Sequence, residues 1–444
     1  MDAERTQAAA GLNETLPTSE RYAVAVDGES VPVLAVEWAG GYALATAPGG
    51  VQVQITTSFD FEHAVVRPLR LDVAVQRCGP RELRFTLAGP AYVSVEFDGD
   101  IRQPLLLLID APELDEPPPG DGELIAFEPG RIHDVGTIEL QSQQRLWIRR
   151  GAVVRGVIRA EGQHNIAIGG LGVLDGSQFE RRDAARAAGR HRPRMVHLID
   201  CQHVTVRGIT ILDGPTWHLV PVGCRHVEID RVKIMNESAN GDGVDVVGSQ
   251  DVHIHDSFLR TLDDCIAIKA LDVGSPTGHR DVERVRAERL TCWNAAWGNA
   301  LEIGYETRCE HIRDIVFRDI DIIHCQWEGG ASGGALTIHN GDRATVSNVL
   351  YEDIRIEDVQ QKVIDFKVTF DRYSKDEQRG WLRDIELRNV AVVAGPLPPS
   401  IIQGYRDRTV QNVTIENFTH LGRPLTNLAD AKLVLERARE VGFR

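Results

Sequence analysis

Three aspartates are the residues best placed by type and spacing to do chemistry. Asp242 sits in Asn240-Gly241-Asp242-Gly243-Val244-Asp245, and Asp263 and Asp264 open Asp263-Asp264-Cys265-Ile266-Ala267-Ile268-Lys269. Asp242 and Asp263 are 21 residues apart, about one turn of a chain coiling as a parallel β-solenoid, whose stacked turns sit roughly 4.8 Å apart. That spacing brings the three carboxylates together on adjacent turns. Carboxylates held close repel, so at least one has its pKa raised and can donate a proton near neutral pH. A second, still ionised, can activate water, which together is the equipment of a glycosidase. Asp-Gly and Asp-Asp are also common turn residues. It is their recurrence one coil apart that favours a site.

A coil must exist to position them, and the chain carries a weak internal repeat from about Leu124 onward. Asn165-Ile166-Ala167-Ile168, His203-Val204-Thr205-Val206, His226-Val227-Glu228-Ile229 and Val252-His253-Ile254 align, with later copies at Ile315, Val349, Ile385 and Val413. One short strand per repeat of 20 to 50 residues signals a solenoid, and no Leu-x-x-Leu-x-Leu frame is present. The reading is an all-β chain whose residues 120–425 form a right-handed parallel β-helix. Residues 21–115 hold short alternating runs such as Val51-Gln52-Val53-Gln54-Ile55, which predict a small antiparallel β-sandwich. Residues 1–20 are expected to be disordered, and 113–122, with Pro117-Pro118-Pro119, to be a stiff linker. In 426–444 the apolar positions 428, 431, 434, 435, 438 and 441 predict a C-terminal helix covering the open end.

Composition narrows the partners. The 444 residues carry a net charge of −16, which disfavours nucleic acid. No aliphatic run approaches the length of a membrane span; Leu105 to Ile109 is the longest. The first residues lack the pattern of a secretory signal, and the seven cysteines form no Cys-x-x-Cys pair, so a cytoplasmic location is expected. His253 and His255 share a strand face without a third ligand at suitable spacing, so they read as solvated rather than metal-binding. No cofactor and no metal are expected.

Taken together, Arg192-Pro193-Arg194-Met195, Gly170-Leu171-Gly172-Val173-Leu174-Asp175-Gly176, Asp213-Gly214-Pro215-Thr216-Trp217-His218 and the two aspartate motifs resemble glycoside hydrolase family 28, the polygalacturonase group. The resemblance spans roughly 120–420. It implies a right-handed β-helix, no metal, and single-displacement hydrolysis with inversion, Asp263 being the general acid and Asp242 and Asp264 orienting water. An inverting pair implies carboxyls about 6.5–9.5 Å apart. The sandwich-plus-helix layout is similar to glycoside hydrolase family 49. Two departures concern the substrate. Where the family has Gly-His-Gly, this chain has Gly298-Asn299-Ala300-Leu301-Glu302, and where it has Arg-Ile-Lys, this chain has Thr337-Ile338-His339. A uronate carboxylate needs a charge-assisted partner, so neutral oligosaccharides are expected and polygalacturonate is not.

The substrate-contacting candidates are Asn240, Lys269, Trp217, His218, Trp297, Asn299, Glu302 and His339. Trp217 and Trp297 are candidate subsite walls, while Trp293 and Trp327 read as packed. The alternatives are a polygalacturonase or exo-galacturonosidase, a polysaccharide lyase for which Lys269 would be the nearby base, and a non-catalytic carbohydrate-binding solenoid. The loops around 177–195 and 272–280 are expected to decide whether the cleft is open, and the loop Gly329 to Gly334 is expected to be a flexible turn.

Overall fold

The computed structural model describes residues 7–8, 16–189, 192–328 and 333–444. From Leu124 to Phe443 the strands coil into one sheet system of 28 strands, which pair in parallel from one coil to the next except for Arg423–Pro424, antiparallel to Val410–His420. The repeat seen in the sequence is the register itself. Ile166, Val204, Val227, Val252 and Val285 stack in one column, continued by Ile315, Val349, Ile385, Val413 and Val441. From Ile166 to Val413 all are buried, and they form the spine of the aliphatic core.

A corner precedes each of these residues. Asn165, His203, His226, Asp251, Arg284, Asp314, Asn348, Asp384, Asn412 and Glu440 all adopt left-handed backbone, with φ between 53° and 59°. Asn and Asp tolerate that region best, and their side chains bond up the stack: Asn412 Nδ2 donates to Asp384 Oδ1 at 2.7 Å, and Asn348 Nδ2 to Asp314 Oδ1 at 2.5 Å. These corners bend the chain at the same point in every turn, which keeps the aspartate motifs in register.

Residues 22–110, joined by Gln7–Ala8, form two further sheets, one of six strands and one of five. They are antiparallel apart from the pairing of Asp100–Asp110 with Ala39–Thr46, and they close over a core that includes Val53, Phe85 and Val95. The six-stranded sheet lies against the coil. Trp38, Tyr42, Leu106 and Leu108 pack with Val173, Leu212, Phe258 and Trp293. Buried polar pairs fix the fit: Lys233 Nζ donates to Asp110 Oδ2 at 2.7 Å, and Arg67 Nη1 to Glu357 Oε2 at 2.5 Å. The proline-rich connection is tied down, since Arg145 donates to the carbonyls of Pro118 and Gly122.

The tail corrects the reading of 426–444 as a helix. Leu433–Glu436 and Ala438–Phe443 are strands, paired in parallel with Ser400–Gln403 and Val410–His420. The open edge of the last coil offers unpaired backbone groups, and pairing with them outweighs the helical spacing of a segment whose Leu433/Leu435 and Val441/Phe443 also alternate. Of the N-terminal stretch expected to be disordered, 1–6 and 9–15 lie outside the described residues, while Gln7 and Ala8 pair with Thr46 and Ala45. Most of the glycine loop, 329–332, also lies outside them. No helix of the described residues is long and apolar enough to cross a membrane.

The aliphatic column yields a stability test. Ile315→Ala, in mid-ladder and fully buried, should lower unfolding free energy by about 2–5 kcal/mol, measured by denaturant titration. A change below about 1 kcal/mol would mean the ladder is not what holds the coil.

Candidate active site

The catalytic candidates stand just ahead of neighbouring strands. Asp242 precedes Val244–Val247, and Asp263 and Asp264 precede Ile266–Ala270; Val244 is paired with Ile266. Gly243 N donates to Asp264 O at 2.8 Å, so the two motifs are stacked one coil apart. One carboxylate oxygen from each of Asp242, Asp263 and Asp264 lies within 4.8 Å of the others. That is closer than the separation expected for an inverting pair.

Lys269 answers this density of negative charge. Its Nζ is 2.8 Å from Asp242 Oδ2, 3.0 Å from Asp245 Oδ1 and 3.8 Å from Asp264 Oδ2, all buried. Burial works against its charge, but Asp242, Asp245 and Asp264 outweigh it and hold its pKa well above the ordinary lysine value. A lysine held protonated is no base, which removes the residue a lyase reading requires. The aspartate trio has donors a cation would use, but the ammonium already stands among them. Asp245, outside the sequence-derived site, is thus part of it. The clue was its position as second residue of the strand Val244–Val247 that Asp242 precedes.

The three carboxyls differ in environment. Asp263 is the one least buried, and its pKa is pushed up to about 7, chiefly by burial and then by the charge of Asp242. The carboxyls of Asp264 and Asp245 are also raised, again by burial first and Asp242 second. Mutual repulsion, the cause expected from spacing alone, is the smaller effect. Asp264 Oδ1 accepts from Asn299 N at 2.8 Å and from Asn299 Nδ2 at 3.0 Å. Asn299 therefore orients Asp264. His218 orients Asp242: its Nδ1 lies 2.8 Å from the Asp242 carbonyl, while its Nε2 accepts from Gly214 N at 3.0 Å. This fixes the Nδ1–H tautomer. Burial lowers the His218 pKa to about 4, so the ring is neutral and holds backbone rather than sugar.

The cleft above them has a volume of about 380 Å³, within the range of small-molecule sites. Asn240, Asp242, Asp263, Asp264, Lys269, Trp217, Trp297 and Asn299 line it, as do Trp327 and polar or aromatic residues that sequence reasoning missed, Arg182, Tyr305, Glu306, Arg372 and Tyr373. Trp297 is 43% exposed and Trp327 39%, so Trp327 is a wall rather than packing. Trp293 is packed, its Nε1 donating to Gln326 Oε1 at 2.9 Å. Lys269 Nζ lies 4.2 Å from the Trp217 ring centre, a cation–π contact that fixes the indole. The loop 272–280 does not reach the cleft, whereas the segment 369–380 does, through Arg372 and Tyr373.

His218, Glu302 and His339 do not line the cleft. Glu302 and His339 form a buried charge chain instead. His339 Nδ1 lies 2.9 Å from Glu302 Oε2, and its Nε2 is 3.4 Å from Asp365 Oδ2. Burial opposes the imidazolium, but Glu302 and Asp365 outweigh it and raise its pKa to about 9. Lys362 and Lys367, 3.0 and 2.8 Å from Asp365, balance the remainder. His339 is thus a cation, contrary to the neutral residue expected, and its charge is consumed internally. Tyr305 lies flat over it, ring centres 4.4 Å apart at 4°, and presents itself to the cleft. Of the two histidines read as a solvated face, His253 is 40% exposed and meets Glu288 at 3.1 Å, while His255 is largely covered and meets Asp256 at 2.7 Å. Donors of Asp230, His255 and Asp256 converge within 4.8 Å, but Arg231 and Arg289 already neutralise these aspartates.

Two tests follow from this geometry. A Cβ on Gly298, whose φ is +71°, would lie 2.4 Å from Asp263 Oδ1; Gly298→Ala should therefore displace the acid and lower turnover by about 10²-fold or more, with normal turnover refuting the contact. The second concerns linkage. Because the folded pKa of Asp263 is raised to about 7 from 3.8, the stability it contributes is full below pH 3.8 and is lost as pH rises through 7. Asp263→Asn cannot ionise, so its Tm advantage over the parent should grow between pH 4 and pH 8. A constant difference would show that the group is not so perturbed.

The comparisons with known proteins agree with this architecture. Dex49A from Penicillium minioluteum superposes with a TM-score of 0.70 at 14% identity, covering 97% of this chain and 95% of that one, which is a likeness of fold. Polygalacturonase QRT2 of Arabidopsis thaliana is 26% identical over 174 residues, 39% of this chain and 36% of that protein. Rhamnogalacturonase A of Aspergillus aculeatus is 26% identical over 168 residues, 38% of this chain and 34% of that protein. The aligned part is about a third of the length of these curated relatives. The family model of the glycosyl hydrolases family 28 matches residues 127–419, about two thirds of the chain and the whole extent of the site just described, so the chain belongs to that family.

Proposed function

We propose that this protein hydrolyses glycosidic bonds of an oligosaccharide by single displacement with inversion. What carries the reading is the convergence of Asp242, Asp263 and Asp264 in a cleft walled by Trp217, Trp297, Trp327 and Tyr305, together with a pKa of about 7 on the most accessible of the three. Asp263 protonates the departing glycosidic oxygen, its raised pKa leaving it substantially protonated near neutrality. Asp242 Oδ2 accepts from Lys269 Nζ, and its buried Oδ1 has no hydrogen-bond partner among the described residues, which suits it to accept a proton from the attacking water. Asp264, aimed by Asn299, orients that water. The short carboxylate separation by itself matches the retaining range of about 5 Å. Inversion is supported instead by family membership and by the engagement of Asp242 and Asp264, each held by a partner rather than poised as a free nucleophile.

For the substrate, we favour a neutral sugar at the bond cleaved. Thr337 and His339, standing where the family has cations, are buried; the His339 charge is taken by Glu302 and Asp365, and that of Lys269 by three aspartates. In their place the cleft presents the Tyr305 ring and the Glu306 carboxyl, the latter with a pKa raised by burial. A substrate carboxylate there would face Glu306. One observation favours a second reading, a polygalacturonase or exo-galacturonosidase: Arg182, at the start of the short helix Arg182–Ala187, and Arg372, in the segment 369–380, reach the cleft from outside the motif, and relatives matched include a polygalacturonase and a rhamnogalacturonase.

Neutral oligosaccharides, galacturonate oligomers and polygalacturonate, compared at pH 5 and pH 7, separate the two, with neutral cleavage expected and dominant galacturonate cleavage at pH 7 favouring the second. On the substrate found, Asp263→Asn should lower kcat by about 10²–10⁴-fold. Early-time product NMR should show the inverted anomer. Retention, or near-normal turnover of Asp263→Asn with a poor leaving group, would overturn the mechanism.

A further inference from the structure

The segment 369–380, between the strands Lys362–Val368 and Trp381–Val392, has two sides. Arg372 and Tyr373 face the catalytic cleft, whereas Phe370 and Ser374 to Arg379 wall a second cleft of about 560 Å³, closed opposite by the turn 405–408. Nothing in the hydrolytic machinery uses this second cleft.

Its most telling residue is Arg379. The side chain is only 6% exposed. Its two terminal nitrogens donate to the backbone carbonyls of Thr369 and Asp376, its Nε has no partner, and no carboxylate pairs with it among the described residues. A guanidinium cannot shed its proton, so leaving it buried and unpaired is costly unless an anion arrives from outside. Of the three carboxylates that line the cleft, Asp376 is taken by Arg308 at 3.2 Å and Arg343 at 2.9 Å, Asp407 is taken by Arg408 at 2.9 Å, and Glu377 is exposed rather than paired with Arg379. Arg406, exposed at the tip of the facing turn with φ +53°, adds a second cation. With Lys375, Arg379, Arg406 and Arg408 set against Asp376, Glu377 and Asp407, the lining has four cations to three carboxylates, a small positive excess on a chain whose net charge is −16.

Aromatic rings stand beside these cations. Phe370 is 58% exposed, the Arg379 guanidinium sits 5.0 Å from its ring centre, and the Tyr405 ring lies 6.4 Å away under Arg406. A small inorganic anion would use the arginines and leave the rings idle. A sugar ring with a carboxylate uses both, its apolar face on the aromatic ring and its carboxylate on a guanidinium.

We propose that the second cleft binds a carboxylate-bearing sugar residue, with Arg379 and Arg406 holding the carboxylate and Phe370 the ring face. That this residue is a distal unit of the chain cut in the first cleft rests on the hydrolase reading; the binding itself does not. The substrate class is then a saccharide neutral at the cleaved bond and acidic some units beyond it.

Isothermal titration calorimetry tests it with galacturonate and glucuronate oligosaccharides, their neutral counterparts and inorganic phosphate. The proteins are Asp263→Asn, to stop turnover, and the same protein carrying Phe370→Ala or Arg406→Ala, both exposed positions whose folding is checked by Tm. Expected are uronate binding at least tenfold tighter than neutral sugar, a loss of at least fivefold in each variant, and unchanged turnover of a small aryl glycoside when Phe370→Ala is made in the parent enzyme. Equal affinity for neutral and acidic sugars, phosphate binding as tightly as uronate, or uronate affinity unchanged in both variants would overturn the proposal. Failure to hydrolyse any glycoside, with uronate binding intact, would sink the hydrolase reading and leave this one standing.

Discussion

The ion contact between Lys269 and its aspartates is the interaction on which the site depends. Asp242, Asp245 and Asp264 are buried within reach of one ammonium, and carboxylates packed so closely would otherwise repel or protonate together. Removing one member of such a buried group typically costs about 3–5 kcal/mol, since it strands the others. The cation sits on the strand Ile266–Ala270, which directly follows Asp263 and Asp264, so the coil that delivers the acid also delivers its counter-charge. The same ammonium lies against Trp217, linking the charge balance of the floor to an aromatic wall.

Charge is confined beneath the cleft in a second place as well. Glu302, His339 and Asp365 form a closed chain ended by Lys362 and Lys367, with Tyr305 stacked above. Both networks turn ionic side chains into structural supports, and beside the carboxylates the cleft offers a sugar the rings of Trp217, Trp297, Trp327, Tyr305 and Tyr373. The sandwich contributes from behind: Trp38 Nε1 donates to Asp213 Oδ1 at 2.9 Å, at the start of the Asp213-to-His218 run whose histidine holds Asp242. The N-terminal sheets thus bear on the same residues through packing and two hydrogen-bonded steps.

The coil and the aspartate pair were legible because both are periodic. Asn165-Ile166, His203-Val204 and His226-Val227 recur at one corner, and a stacked fold converts sequence spacing directly into distance. Asp242, Asp263 and Asp264 could be placed together from that spacing alone. Trp217 and Trp297 also reached the cleft as expected. The tail failed because its apolar spacing satisfies two periods, and only the unpaired edge of the last coil decides between them.

Residue types and spacing along the chain determined that this protein would be a β-coil with a carboxylate cluster on one face, since backbone corners and an aliphatic column repeat with the turn. Tertiary structure decided what each polar group does. His218 and His339 look alike as isolated histidines, yet one is neutral with a pKa near 4 and the other charged with a pKa near 9, because the first meets only backbone and the second two carboxylates. Arg182, Arg372 and Arg379 carry no motif, and loops of irregular length bring them to the clefts. Protonation state and access depend on neighbours one coil away, some 24 to 37 residues distant in sequence for these two histidines, and those neighbours exist only once the chain has closed around them.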